Sequence, residues 1–329
     1  MPAAIEVDGL VKRFSGDVLA LDGVSFEVER GSVYGLLGPN GAGKTTVVRI
    51  LTTILRPDRG RASVLGHDVV AAPELVRSLF GLAGQYAAVD ENLTGRENLR
   101  MVGRLNHLSR PVVAARSAEL LEQFELSDAA DRTLKTYSGG MRRRLDLAAA
   151  LVASPGVLFL DEPTTGLDPQ ARIGLWGVIE QLVEQGTTVL LTTQYLEEAD
   201  RLASRVAVVD HGRVIAEGTP AALKADLGAT VLEIGLHDAE TAARAATALA
   251  HVSEKRPRVL GSDIEIAADG GPRIATAALR ALDQEGIEPL RFALREPSLD
   301  DVFLSLTGHT AEDGRPDEAV VPARAAGQA

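Results

Sequence analysis

The chain contains no cysteine, which excludes disulfide bonds and thiolate metal sites. Aromatic residues make up only 4% of the chain, so leucine, valine, isoleucine and alanine must fill the hydrophobic cores. No stretch reaches the roughly 18 uncharged apolar residues of a membrane-spanning helix. The best candidate, residues 145–160, is interrupted by Asp146, Ser154, Pro155 and Gly156. A role at a membrane therefore requires contact with another protein.

Positive charge is also scarce. The chain carries a net charge of −12 and has a pI of about 5.1. This balance argues against a protein that grips the phosphate backbones of DNA or RNA, and we expect no nucleic-acid partner. The six histidines are scattered without metal-ligand spacing, so the sequence indicates no histidine metal site.

The chain is long enough for one large domain and one small domain, with 329 residues of which 45% are hydrophobic. Short apolar runs and helical spacing predict an α/β domain over residues 1–223, with a helical pattern from about residue 74 and a helical subdomain at about residues 86–153. Residues 224–308 follow the order β-α-β-β-α-β of a small ferredoxin-like α+β domain. Residues 309–329 are rich in alanine, proline, glycine and charge, which predicts a disordered tail.

A glycine-rich segment joins the apolar run of residues 33–37 to a predicted helix over residues 45–55, and it matches the pattern G-x-x-x-x-G-K-[ST]. Glycines allow consecutive backbone N–H groups to curl around a phosphate, and the positive end of the following helix points at the same charge. Lys44 can reach the outer phosphate oxygens and Thr45 can ligate Mg²⁺. The predicted nucleotide contacts are Gly38, Pro39, Asn40, Gly41, Ala42, Gly43, Lys44, Thr45 and Thr46.

An acidic pair follows the short apolar strand predicted at residues 157–160. Asp161, at the carboxyl end of that strand, can hold Mg²⁺ together with Thr45. Glu162 comes next, so its carboxylate can face the γ-phosphate and polarise an attacking water molecule. A solvated strand end is the alternative for such a pair, but the phosphate loop upstream favours the catalytic interpretation.

A serine and two glycines precede a predicted helix that runs through Leu145 and Ala149. Ser138 has the character of an N-cap residue. Gly139 and Gly140 expose backbone donors, which makes the helix start a second anion site. An ordinary capped helix remains the alternative.

Taken in this order, the motifs resemble those of the ATP-binding subunits of ABC transporters, from residue 1 to about residue 223, with the signature in the form Tyr-Ser-Gly-Gly-Met. The resemblance implies a P-loop NTPase core of the ABC ATPase type that uses ATP and Mg²⁺. It also implies a head-to-tail dimer with a second copy of the chain. Each ATP then lies between the phosphate loop of one subunit and the helix that begins at Ser138, Gly139 and Gly140 of the other.

Four further residues take their roles from this resemblance. Phe14 stacks on the adenine, and Gln85 senses the metal and the γ-phosphate; a core phenylalanine and a surface glutamine are the alternatives. Asp168 contacts the partner subunit, with a plain helix-start turn as its alternative. Most relatives carry a histidine where this chain has Gln194. Gln194 can donate an amide N–H but cannot carry a proton, so we expect Glu162 to be the principal base. Mg²⁺ then lies among Thr45, Gln85 and Asp161.

Three segments narrow the resemblance further: TTQYLEEAD at residues 192–200, TYSGGMRRRL at 136–145 and SLDDVFLSLTG at 298–308. Together they resemble the daunorubicin-resistance type of ATP-binding subunit. This implies an ATPase at the cytoplasmic face of the cell membrane that powers efflux of a hydrophobic drug through a separate permease. Export of a lipid or polysaccharide, and a soluble ABC ATPase without a transport role, are the alternatives.

Two features outside the motifs also carry expectations. Arg142, Arg143 and Arg144 are expected to form a solvated helix face with some pairing to nearby acids. Trp176 is expected to lie on the inward face of a helix, as the apolar residues around it indicate.

Overall fold

The protein was studied as a computed structural model that describes residues 3–16, 18–84, 89–225, 230–253, 256–268 and 271–307. The chain divides into two compact units, the first reaching Glu217 and the second beginning at Gly218. The sequence predicted the boundary after residue 223, but the short helix over residues 220–225 packs within the second unit, against its last helix. The predicted tail at residues 309–329 lies outside the described residues.

The first unit contains two sheets and seven α-helices within its described residues. In chain order its elements are β1 (Ile5–Phe14), β2 (Val18–Val28), β3 (Val33–Leu37), α1 (Lys44–Leu51), β4 (Arg59–Val64), β5 (His67–Asp68), α2 (Pro73–Arg77), β6 (Phe80–Ala83), α3 (Gly95–Leu105), α4 (Arg110–Gln123), α5 (Gly139–Ala150), β7 (Val157–Asp161), α6 (Pro169–Glu184), β8 (Thr188–Thr193), α7 (Leu196–Leu202), β9 (Arg205–Asp210) and β10 (Arg213–Gly218).

The smaller sheet of this unit is antiparallel, with strand order β2-β1-β4-β5. Its strands alternate between buried and exposed residues, since one face packs on the core and the other faces water. Helix α1 packs against β2 and β4 of this sheet and against β7 of the other. Its buried residues Val47, Val48, Ile50 and Leu51 join the two sheets in one hydrophobic core.

The larger sheet has the order β10-β9-β3-β8-β7-β6, and β9, β3, β8, β7 and β6 run parallel. Every residue of β3, β7 and β8 is buried. Parallel strands covered on both faces show continuous apolar runs rather than alternation, as the sequence predicted for residues 33–37. The carboxyl ends of these strands share one edge of the sheet, which positions the loops that follow them.

Two local predictions for this unit were wrong. The helical pattern predicted from residue 74 onward contains strand β6, which pairs with β7. Helix α1 ends at Leu51, four residues before the predicted end. Thr53 adopts a left-handed φ of 63°, which an α-helix cannot continue through.

The second unit has the predicted β-α-β-β-α-β arrangement. Its elements are α8 (Pro220–Ala225), β11 (Val231–Gly235), α9 (Ala239–Leu249), β12 (Arg258–Leu260), β13 (Asp263–Ala267), α10 (Pro272–Gln284), β14 (Arg291–Arg295) and α11 (Leu299–Thr307). The antiparallel strand order β12-β13-β11-β14 confirms the ferredoxin-like topology. Ala242, Ala245 and Leu249 of α9, at helical spacing, pack in one core with Leu232 and Ile264 of the sheet.

Helix α11 closes the second unit. Val302 and Phe303 are buried, and Asp301 near the helix start accepts hydrogen bonds from the Arg295 guanidinium at 2.6 and 2.9 Å. The Ser298 N–H donates to the same carboxylate at 2.7 Å. This segment therefore packs onto the small domain that precedes it.

Candidate active site

The predicted catalytic residues follow neighbouring strands of the larger sheet. Gly38 begins the loop after β3, Gln194 follows β8, and Asp161 ends β7 with Glu162 directly after it. Since β3, β8 and β7 are adjacent and parallel, their carboxyl ends bring these residues to one edge. Gln85 comes after β6 in the sequence but lies outside the described residues.

The glycine-rich loop requires glycine where the backbone of other segments approaches it. A Cβ on Gly38, which has a φ of 155°, would lie 2.2 Å from the Val209 carbonyl oxygen. A Cβ on Gly43, with a φ of 110°, would lie 2.6 Å from the Ala20 carbonyl oxygen. Neither contact is possible for a larger residue, so the loop's tight path and its exposed N–H groups depend on these glycines.

Lys44 is the first residue of α1, and its side chain is only 4% exposed. Its ammonium group donates to the carbonyl oxygens of Gly38 at 2.7 Å and Pro39 at 3.0 Å, within the loop itself. The Glu162 Oε1 atom lies 3.8 Å from the same nitrogen. Burial lowers the pKa of Lys44, while the nearby carboxylates of Glu162 and Asp161 act in the opposite direction.

Thr45 and Asp161 bring oxygen atoms together beside this lysine. The Thr45 hydroxyl donates to Asp161 Oδ1 at 3.2 Å, and the Thr192 hydroxyl of β8 donates to the same oxygen. Among the described residues, no group of three or more acidic, histidine or cysteine side chains is arranged to hold a metal. One carboxylate and one hydroxyl suit Mg²⁺, which proteins usually bind through one or two side chains and substrate phosphates.

Glu162 has an unusual backbone for a residue other than glycine, with a left-handed φ of 51°. Its N–H donates to the Thr192 carbonyl oxygen at 3.0 Å, and the Thr165 hydroxyl approaches its Oε2 atom at 3.4 Å. The carboxylate therefore lies beside Lys44, at the phosphate-loop edge of the sheet. A carboxylate in this position can accept a proton from water.

Gln194 lies in a tight turn between β8 and α7. The Thr193 hydroxyl accepts a hydrogen bond from the Tyr195 N–H at 2.9 Å and so braces the turn around Gln194, which is half-buried. Its amide holds no titratable proton at this edge of the sheet.

Ser138 is the N-cap of α5, as predicted: its Oγ atom accepts from the Met141 N–H at 3.2 Å. Asp168 is likewise the N-cap of α6, and its Oδ1 atom accepts from the Ala171 N–H at 2.9 Å. A Cβ on Gly139 would meet no atom within 4 Å, so this face of the helix start is open. The two caps share one surface cleft, lined by Glu125, Ser138, Gly140, Arg144, Asp168 and Ala171.

Phe14 ends β1 and is 38% exposed, with the Lys12 ammonium 5.9 Å from the centre of its ring. Strand β2 continues from this hairpin to Ala20, whose carbonyl oxygen lies against the phosphate loop at Gly43. The ring is therefore an exposed aromatic surface rather than a core side chain. Its stacking on adenine stays a prediction.

The arginine triplet differs from the expectation of one solvated face. Arg142 pairs with Glu91 at 2.9 Å and Arg144 with Glu125 at 3.0 Å, as predicted for exposed arginines. Arg143 instead points into the protein and donates to backbone carbonyls around the site. Three consecutive residues of a helix point in directions about 100° apart, so one face cannot hold them all.

Trp176 is buried on the inward face of α6, as predicted. Its indole N–H donates to Glu198 Oε1 at 3.1 Å, and Glu198 on α7 is fully buried. Burial raises the pKa of Glu198, and hydrogen bonds from Thr193, Trp176 and Thr164 oppose the change. No pattern in the sequence distinguishes this glutamate, which lies inside the protein, from its exposed neighbour Glu197.

This buried carboxyl predicts a pH-dependent cost to stability. An acid whose pKa is raised in the folded state contributes stability at low pH, and that contribution is lost as the pH rises towards the folded pKa. The Glu198→Gln substitution removes the titration and keeps the group's size. We therefore expect the melting temperature of this variant, relative to the parent, to increase between about pH 5 and pH 8.

Thermal unfolding at several pH values in that interval measures the difference. The Glu197→Gln substitution on the same helix is the matched control, since it removes an exposed carboxyl and leaves the buried interior unchanged. A constant difference between Glu198→Gln and the parent across the interval contradicts a raised pKa of Glu198.

Comparison with known proteins identifies the family of the chain. The family model described as "ABC transporter" matches residues 21–165, and the one described as "ATP-binding protein DrrA1-3-like, C-terminal domain" matches residues 218–307. The chain is 53% identical to the daunorubicin/doxorubicin resistance ATP-binding protein DrrA of Streptomyces peucetius, over 96% of each chain. It is 42% identical to the Nod factor export ATP-binding protein I of Burkholderia lata, over 95% of this chain and all of the relative.

Solved structures agree with these relatives. A structure titled "Structure of ATP binding subunit of ABC transporter" superposes with a TM-score of 0.61 at 30% identity. It covers 68% of this chain and 92% of its own. The α/β core described above is therefore similar to that of a structurally known ATP-binding subunit.

Proposed function

The chain belongs to the ABC transporters, with the drug-resistance ATP-binding proteins as relatives, and we propose that it hydrolyses ATP to drive efflux of a hydrophobic drug through a separate permease. The observation that carries this proposal is the arrangement of Lys44, Thr45, Asp161 and Glu162. An ammonium group, a hydroxyl and two carboxylates lie together where the phosphate loop meets the ends of β3 and β7.

Each group has a task in ATP hydrolysis. The N–H groups of the loop from Gly38 to Thr45 surround the β-phosphate, and Lys44 neutralises charge on the β- and γ-oxygens. Glu162 accepts a proton from the water that attacks the γ-phosphate. Thr45 and Asp161 would hold Mg²⁺, which supplies further positive charge to the phosphates. Gln194 donates its amide N–H to the γ-phosphate, and Phe14 stacks on the adenine.

The cleft that joins Ser138 and Asp168 supports a second step in the proposal. Its open helix start offers backbone N–H groups to an anion, and it includes no residue of the phosphate loop. We therefore assign this cleft to the ATP held by a second copy of the chain, in a head-to-tail dimer. Binding of ATP closes the dimer and moves the permease, and release of the products reopens it.

The described part of the chain has no helix long and apolar enough to cross a membrane. We assign the chain to the cytoplasmic face of the cell membrane, where it contacts the permease. A lipid or a polysaccharide is the second candidate cargo, and a relative 42% identical to this chain is named for the export of another compound, Nod factor.

Transport assays of this chain co-expressed with a candidate permease test the proposal. Inverted membrane vesicles that contain both proteins are expected to accumulate an anthracycline when ATP is supplied, and vesicles that lack either protein are not. The proposal of ATP-driven drug efflux is contradicted if the vesicles accumulate the anthracycline without ATP hydrolysis. It is also contradicted if they hydrolyse ATP but accumulate no anthracycline. Stimulation of the ATPase by a lipid or a polysaccharide but not by an anthracycline favours the second cargo.

A further inference from the structure

Arg143 is the buried member of the arginine triplet, with a side chain only 15% exposed. Its guanidinium donates to three backbone carbonyl oxygens outside its own helix: those of Gly84 and Pro163, each at 2.5 Å, and that of Glu162 at 3.2 Å. Asp146, one turn along α5, lies 3.4 Å from the same group. The hydrogen bonds of this guanidinium therefore go mainly to backbone carbonyl oxygens outside α5.

These carbonyls belong to two loops at the edge of the sheet. Gly84 directly follows β6 and directly precedes Gln85, while Glu162 and Pro163 follow the neighbouring strand β7. The rigid fork of a guanidinium donates in several fixed directions at once, so one arginine joins both loops. The ammonium group of a lysine is compact and cannot reproduce that geometry.

The bond to Glu162 matters because that residue has a left-handed φ of 51°. Such a conformation persists in a residue other than glycine only where surrounding groups hold it. The Glu162 N–H donates to the Thr192 carbonyl oxygen, and the Glu162 carbonyl oxygen accepts from the Arg143 guanidinium at 3.2 Å and, at a longer 3.4 Å, from the Thr165 N–H. The orientation of the carboxylate therefore depends on these bonds.

We propose that Arg143 is a positioning residue for hydrolysis, which fixes the backbone of Glu162 in its own subunit so that the carboxylate faces the phosphate loop. This inference rests on the proposed function. It adds that α5 serves two sites in the dimer: its start at Ser138 meets the partner subunit's nucleotide, and Arg143, farther along the helix, holds the base of its own site.

Steady-state kinetics of the full chain test the proposal through the Arg143→Lys substitution, which keeps the positive charge. We expect kcat for ATP hydrolysis to fall about tenfold or more, with KM for ATP within about twofold of the parent, because a displaced base slows chemistry without weakening binding. Arg142→Lys is the matched control on the same helix, since the contacts of Arg142 with Glu91 at 2.9 Å and with the Lys135 carbonyl oxygen at 3.3 Å do not involve Glu162. Equal kcat values for the two variants overturn the proposal.

A dimerisation measurement separates positioning from a general loss of structure. In a Glu162→Gln background, where ATP is not consumed, size-exclusion chromatography reports ATP-dependent dimers. We expect the added Arg143→Lys substitution not to change the ATP concentration at which dimers form. Loss of dimers together with hydrolysis contradicts the proposal, because it shows that Arg143 maintains the α5 surface rather than the orientation of Glu162.

Mixed dimers assign the effect to one subunit. A Lys44→Ala chain paired with a Ser138→Arg chain has one intact site, in which the Ser138→Arg chain supplies the phosphate loop and Glu162. Arg143→Lys is expected to lower the ATPase rate of this mixed dimer about tenfold or more when it is placed in the Ser138→Arg chain, and to leave that rate unchanged when it is placed in the Lys44→Ala chain. The reverse pattern overturns the proposal. Absence of any activity in the mixed dimer contradicts the dimer itself, and the single-variant kinetics then decide the role of Arg143.

Discussion

Replacing Glu162 with glutamine is expected to lower ATP hydrolysis by about a hundredfold or more, since a general base contributes on that order. The Glu162 Oε1 atom lies 3.8 Å from the Lys44 ammonium, at the strand edge where the phosphate loop begins. Gln194, across the same edge, has no proton to exchange, so it cannot take over the task. Glutamine keeps the size and hydrogen bonds of the residue, and ATP binding should therefore persist.

Single-turnover hydrolysis of labelled ATP measures the chemical step, and fluorescence of a nucleotide analogue measures binding. We expect the rate to collapse while the dissociation constant changes by less than about threefold. Glu184→Gln, at the exposed end of α6, is the control for a carboxyl-to-amide change away from the site. A Glu162→Gln rate within a few-fold of the parent rate means that another group activates the water.

The residues that lie at the carboxyl ends of β3 and β7 could be selected from the sequence because their signals are local. A glycine loop between a buried strand and a helix, or an acidic pair after an apolar strand, is complete within about ten residues. The ferredoxin-like order of the second unit could be predicted equally well, because its strand and helix patterns are clearly separated along the sequence. The bounds of β3 agree with those of the apolar run at residues 33–37.

The missed elements lack such local signals. Strand β6 is four residues long and all four are apolar, so its sequence shows no polar alternation that distinguishes it from a helix. Strand β4 reads as polar at Arg59 and Arg61, because these residues face solvent. Helix α1 was overextended because apolar residues continue beyond Leu51, and only the left-handed Thr53 ends the pattern.

Arg143 shows a different limit. Its neighbours Arg142 and Arg144 have the same chemistry, and only the helix phase makes the middle residue face inward. Gly140, Arg143 and Leu147 share one face of α5 at spacings of three and four residues, and Leu147 is buried. That spacing indicates which arginine points inward. It does not indicate which carbonyl oxygens accept hydrogen bonds from that arginine, because they belong to loops distant in the sequence.

Two inactive variants are expected to restore each other if the ATP site is shared between subunits. Lys44→Ala removes the ammonium from the phosphate loop, and Ser138→Arg puts a bulky charge at the open start of α5. Either variant alone damages both sites of a symmetric dimer. A mixed dimer regains one intact site, because the undamaged loop of one subunit meets the undamaged helix of the other.

Random mixing makes half of the dimers mixed, and each has one of two sites intact, so up to about a quarter of the parent ATPase rate should return. Hydrolysis is measured for each variant alone and after both are co-refolded or co-expressed. A mixture of Lys44→Ala with the Lys44→Ala, Ser138→Arg double variant is the control, since no pairing of these chains contains an intact loop. If the two single variants stay inactive together, the cleft at Ser138 and Asp168 does not complete the ATP site of a second subunit, and hydrolysis must be confined to one chain.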